Sequence, residues 1–133
     1  MGKHPSAAVA VLAELRELGL KVAVQHERLA MFDRWPRLDD GRTLLVAESS
    51  TLAPVYMLRK RGLGIATEGG RTVVRISEFD GPEIGIGEAI CSPRDTFCRA
   101  VGLTKATGRA LADIQQRHGS LLRDMRERSH AAA

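Results

Sequence analysis

The stretch Ile84-Gly85-Ile86-Gly87-Glu88-Ala89-Ile90 constrains the fold more than any other part of the chain. Its residues alternate as those of a β-strand do, but Gly85 and Gly87 leave one face nearly bare. A strand of that kind buries little by itself, so another element must pack closely against its backbone. The pattern predicts a strand over Ile84–Ile90, entered from a turn at Asp80-Gly81-Pro82.

The remaining pattern supplies the elements that such a strand needs. Ser6 is suited to cap a helix whose apolar stripe is Val9, Leu12, Ala13 and Leu15, running to Leu18 and closed by Gly19. Leu20 to Gln25 alternates and reads as a strand. From His26 to Gly41 the alternation is lost, with Trp35-Pro36 and Asp39-Asp40-Gly41 reading as loop and turn. Thr43–Ala47 reads as a short strand, and a serine at 49 or 50 caps a helix from Leu52 to about Lys60. Leu63–Thr67 and Thr72–Ser77 flank Gly69-Gly70, which predicts a hairpin. Ser92 as N-cap, Pro93 at the first helical position and Asp95 in the first turn predict a helix from there to about His118. Gly119-Ser120 interrupts it, and Leu121, Leu122 and Met125 begin a short terminal helix with a frayed end at Ala131–Ala133.

The expected fold class is therefore α+β: a small antiparallel sheet of about three to five strands, with the N-terminal and the C-terminal helix on one face. At 133 residues one core is expected, over residues 1–118, with 119–133 as a terminal helix and tail. Hydrophobic residues make up 44% and aromatics only 4%, so that core is built from Ala, Val, Leu and Ile. So few aromatics also argue against a long series of stacked nucleobases. No apolar run reaches the roughly 20 residues of a bilayer span, so no membrane partner is expected. The apolar segment Ala7–Leu15 carries Glu14, Arg16 follows it, and no cleavage pattern comes after, so it reads as an amphipathic helix in a cytoplasmic protein.

Neither catalysis nor metal binding is indicated. Cys91 and Cys98 stand apart from any His or Cys pair, and His4, His26, His118 and His130 are scattered. His26-Glu27-Arg28 has no Ser or Cys nucleophile that the sequence places beside it. Cys91 next to an apolar strand and Cys98 on the apolar side of the helix both read as buried. No cofactor, metal or catalytic residue is expected.

The charge is informative. Residues 1–93 balance, and the whole net excess of +4 arises after them, with eight Lys or Arg against four Asp or Glu between Arg94 and Arg128. On a wheel of about 100° per residue, Ala100, Leu103, Leu111 and Ile114 share the apolar side, and Arg94, Lys105 and Arg109 the opposite one. Gly102 lies beside that basic stripe. Arg94, Arg99, Lys105 and Arg109 are the candidate nucleic-acid contacts, because guanidinium and ammonium groups hold phosphate without reading base sequence. The alternative is a protein-interaction module that inhibits or regulates a host enzyme or joins a larger assembly, docking through Met31, Phe32 and Trp35 with Leu29. The bare Gly85/Gly87 face would also suit a homodimer.

Three runs carry a resemblance: Gly69-Gly70-Arg71-Thr72-Val73-Val74, then Gly87 to Phe97 with the junction Cys91-Ser92-Pro93-Arg94-Asp95-Thr96-Phe97, then Gly108-Arg109-Ala110-Leu111. Together they resemble a family of small proteins from phages and mobile elements that share a strand, a Cys-Ser-Pro-basic-Asp-x-Phe junction and a helix ending in Gly-Arg-Ala-Leu. The likeness covers about a third of the chain and implies a phage or mobile-element origin rather than a chemistry. The chain departs from it at Val101-Gly102-Leu103, where a basic residue usually follows the glycine. A looser topological similarity is to double-stranded-RNA-binding domains, with a helix, three strands and a second helix whose basic start meets phosphates. There His26–Gly62 is an addition, and Arg94 alone stands for the paired lysines.

Overall fold

The computed structural model describes residues 7–32, 45–47, 63–65 and 68–132. In chain order these form α1 (Ala7–Glu17), β1 (Leu20–Phe32), β2 (Leu45–Ala47), β3 (Leu63–Ile65), β4 (Glu68–Glu78), β5 (Glu83–Thr96), α2 (Arg99–His118) and α3 (Leu121–Ala132). The sheet order is β2-β1-β4-β5, and β3 also pairs with β1. β1 is antiparallel to β2 through Glu27, Arg28 and Leu29, and antiparallel to β3 through Ala30, Met31 and Phe32. Helices at the two ends of the chain pack on this antiparallel sheet, so the α+β expectation holds.

By compactness the chain forms two units. One comprises Met1–Val24, Val73–Glu88 and Leu103–Ala133; the other comprises Gln25–Thr72 and Ala89–Gly102.

The first unit holds the apolar core. α1 buries Ala8, Leu12 and Leu15, the i, i+4, i+7 spacing of a helix face. Leu12 and Leu15 are buried as predicted, whereas Val9 and Ala13 are exposed and Ala8 completes the stripe. The helix ends at Gly19, whose φ of 92° is the left-handed conformation that glycine adopts without strain. β4 contributes Val73, Val74 and Ile76, and α2 contributes Ala106, Ala110 and Ile114. α3 is tied to α1 by Arg126, which bonds Glu14 at 2.9 Å. The helix–strand approach predicted from Gly85 and Gly87 is present here. A Cβ on Gly87 would enter the backbone of Ala106 and Ala110, and one on Gly85 would enter Ile114. The bare face is thus covered by α2 of the same chain, which removes the reason it gave for a homodimer.

Four local expectations are corrected. β1 continues to Phe32 instead of dissolving after Gln25, because β2 and β3 pair with its second half. Gly69 and Gly70 lie within β4, with φ of 73° and 111°, and form no hairpin; β3 pairs with β1 instead. Their positive φ was the true signal, and it marks a break in the strand's pleat rather than its end. On α2, Ala100 is exposed and Leu103 and Leu111 are half-buried, so the buried stripe is centred on Ala106, Ala110 and Ile114.

The fourth correction concerns the start of the last long helix. β5 runs on to Thr96, and α2 begins only at Arg99. Ser92 does form the bond expected of a cap, since its Oγ accepts the N–H of Arg94 at 3.2 Å. No helix follows, because serine makes the same i to i+2 bond in extended and turn backbone. The chain instead stays extended through Pro93. Cys91 is therefore not at a helix N-terminus. Its thiol donates toward the carbonyls of Asp95 (3.4 Å) and Thr96 (3.7 Å), and it is half-buried, whereas Cys98 is exposed rather than in the core. The predicted helix over Leu52–Lys60 and the loop with Trp35 lie outside the described residues. No helix among those described is long and apolar enough to cross a membrane.

Candidate functional site

In the first unit, α2 lies with its glycine-free side over β5 and extends side chains to the strand's outer edge. Asp113 is the only carboxylate in α2. Its Oδ2 accepts the Ile86 N–H at 2.9 Å and an Arg117 N–H at 2.8 Å. The Ile86 bond, with Arg117 and His118 adding to it, holds the Asp113 carboxyl below the usual carboxylate range. Four residues earlier on the helix, Arg109 Nη1 donates to the Glu88 carbonyl at 2.6 Å. Arg117 also reaches Glu83 at 3.6 Å.

Because Asp113 is turned to the strand, the exposed face of α2 in this unit carries Lys105, Arg109, Ala112 and Gln116 and presents no carboxylate. Gly108 is exposed on that face, and a Cβ there would meet nothing within 4 Å. α2 and α3 together carry seven Lys or Arg against three Asp or Glu, the entire net charge of the chain. Two of those three acids are engaged internally, Asp113 as above and Asp124 by the Ser120 hydroxyl at 3.0 Å. Arg123 and Arg126 line an open cavity of about 480 Å³ at the α2–α3 elbow, floored by Leu111, Ile114 and Leu122.

The other predicted basic residues lie in the second unit. Arg94 is exposed on β5, not on the helix, and Arg99 is exposed at the first position of α2. Of the predicted docking residues, Met31 and Phe32 belong to β1, opposite Gly64 and Leu63 of β3.

The second unit also brings together residues that the sequence singled out separately. A Cβ on Gly70 would run into the Phe97 ring and the Glu27 carbonyl, and one on Gly102 would run into Thr72. Phe97 receives the edge of His26 at a centroid distance of 5.9 Å and the Arg28 guanidinium over its face at 4.6 Å. His26 Nδ1 is 3.0 Å from Thr72 Oγ1, and Thr72 is fully buried. Glu27 is buried and bonded by Arg71 and by Gln25 at 2.9 Å. The Gly-Gly and Asp-x-Phe runs are thus two halves of one packed cluster. Gly102 owes its place to Thr72, a close approach within the chain. With Thr72 out of solvent, the His26–Thr72 pair positions the cluster and offers no accessible nucleophile. Among the described residues, no three His, Cys, Asp or Glu side chains gather as a metal site requires.

Sequence reasoning missed Asp113. Its signal was its isolation as a single acid flanked by Arg109 and Arg117 at four-residue spacing. Fold and site together define a small antiparallel α+β protein with a basic C-terminal helical pair. No family model, curated protein or solved structure matches the chain.

Proposed function

We propose that this chain is a nucleic-acid-binding accessory protein of phage or mobile-element type, acting in the cytoplasm. Contact is made with phosphates, without sequence preference, by the basic helices. The supporting observation is the carboxylate-free outer face of α2 around Lys105 and Arg109, with Gly108 open between them. A phosphate chain can approach helix backbone closely at such a glycine while Lys105 and Arg109 supply charge. Arg94 and Arg99, exposed in the second unit, add to the positive field. Binding of a labelled duplex is expected to weaken steeply between about 50 and 300 mM salt, with a log–log slope near −0.9 per neutralised phosphate. Lys105→Glu is expected to weaken all sequences alike and to flatten that slope. Salt-independent binding, or a Lys105→Glu variant that binds as wild type, would overturn the proposal.

A second reading is favoured by Phe79, which is 73% exposed at the β4–β5 turn. An aromatic ring so placed suits docking to a host protein. A discrete protein captured by wild type after nuclease treatment, and lost with Phe79→Ser, would establish this reading in place of the first.

A further inference from the structure

Among the described residues no strand neighbours the outer edge of β5, and a strand edge with free backbone groups is a template for another strand. Residues 86 and 88 have the same parity, so their backbone groups point to the same side, and both are already bonded by α2. Asp113 takes the Ile86 N–H, and Arg109 takes the Glu88 carbonyl. These two groups are complementary under a two-fold axis. In an antiparallel pair of β5 strands centred on Gly87, residue 86 of one copy faces residue 88 of the other. The Ile86 N–H would then donate to the Glu88 carbonyl of the second copy. The helix side chains fill the donor and the acceptor that such a pairing uses.

We propose that Asp113 and Arg109 form a side-chain latch that closes the β5 edge against strand addition by a second copy of this chain. The latch is held by its surroundings. Gly85 and Gly87 let α2 lie close enough to reach the edge, and Arg117 fixes the Asp113 carboxylate from the next turn. This inference is independent of nucleic-acid binding, although Arg109 takes part in both.

The test compares wild type, Asp113→Ala, Asp113→Ala with Arg109→Ala, and that double variant with Glu88→Pro added. Sedimentation velocity over a concentration series gives the association state, and amide hydrogen exchange reports on Ile86. In dilute wild type the Ile86 amide should exchange slowly for an edge position; Asp113→Ala should speed it about tenfold, the loss of one hydrogen bond. The double variant should dimerise where wild type is monomeric and regain protection at Ile86 as concentration rises. Proline at 88 removes an edge N–H and blocks the ladder, so it should restore the monomer. Lys105→Glu should change duplex binding and leave association alone. A folded double variant that stays monomeric throughout, or association that survives Glu88→Pro, would overturn the latch. If the double variant does not fold, Asp113→Ala decides: unchanged Ile86 exchange overturns the proposal, and faster exchange supports it.

Discussion

Glu27 is the one charged side chain that the described residues bury, whereas its partner Arg71 keeps 35% of its side chain exposed. That inequality decides which substitution hurts. Arg71→Ala leaves a buried carboxylate with only Gln25, and is expected to cost about 1–3 kcal/mol. Glu27→Gln leaves a guanidinium that water can still reach, and should cost less. Urea unfolding of the two variants checks the order. Gly87 has a different sensitivity. Alanine at 87 brings its methyl against helix backbone that cannot yield by a rotamer change, so Gly87→Ala should cost about 1–3 kcal/mol by overpacking, read from the same unfolding curves. The sequence made the close approach at Gly85 and Gly87 legible, because two glycines on one strand face have few other uses. It did not show Glu27 or Thr72 as buried, because their partners Arg71 and Gly102 lie far off along the chain.

At the scale of elements, the β5–α2 pairing makes stability respond to acid. The folded Asp113 carboxyl titrates below its unfolded value, so its contribution is fully present above the unfolded value and is lost as pH falls through the folded one. Wild type should therefore be more stable than Asp113→Asn at neutral pH, with the difference closing as the folded carboxyl is protonated in acid. Thermal midpoints across that range measure it. α2 also contains Gly108, an exposed helical glycine with open space at its Cβ position. Gly108→Ala should raise stability by up to about 1 kcal/mol and, if phosphate approaches the backbone there, weaken duplex binding. Element boundaries were the least legible feature. Ser92-Pro93 carries the chemistry of a helix start, and the serine makes the bond of one, yet edge pairing keeps the chain extended to Thr96. Local signals specify local bonds, and strand pairing decides which element contains them.

For the whole molecule, charge was the most legible property, since a basic excess confined to the last third falls on the last two helices. That the outward face of α2 lacks a carboxylate was not legible, because it depends on Asp113 being drawn to a strand edge. The order β2-β1-β4-β5 also has a consequence in time. β4 and β5 are joined by a tight turn, in which the Glu78 N–H bonds the Pro82 carbonyl at 3.2 Å. β1 can meet β4 only after the chain through residue 67 has been closed into a loop. Loop closure of that length is slow beside hairpin formation. During refolding, amides of the β4–β5 hairpin should gain protection before those of β1, as pulsed hydrogen exchange would record. On the ribosome the sequence of events is harsher. β1 leaves the exit tunnel before β4 and must wait, unpaired on its β4 side, until the residues through 78 have followed.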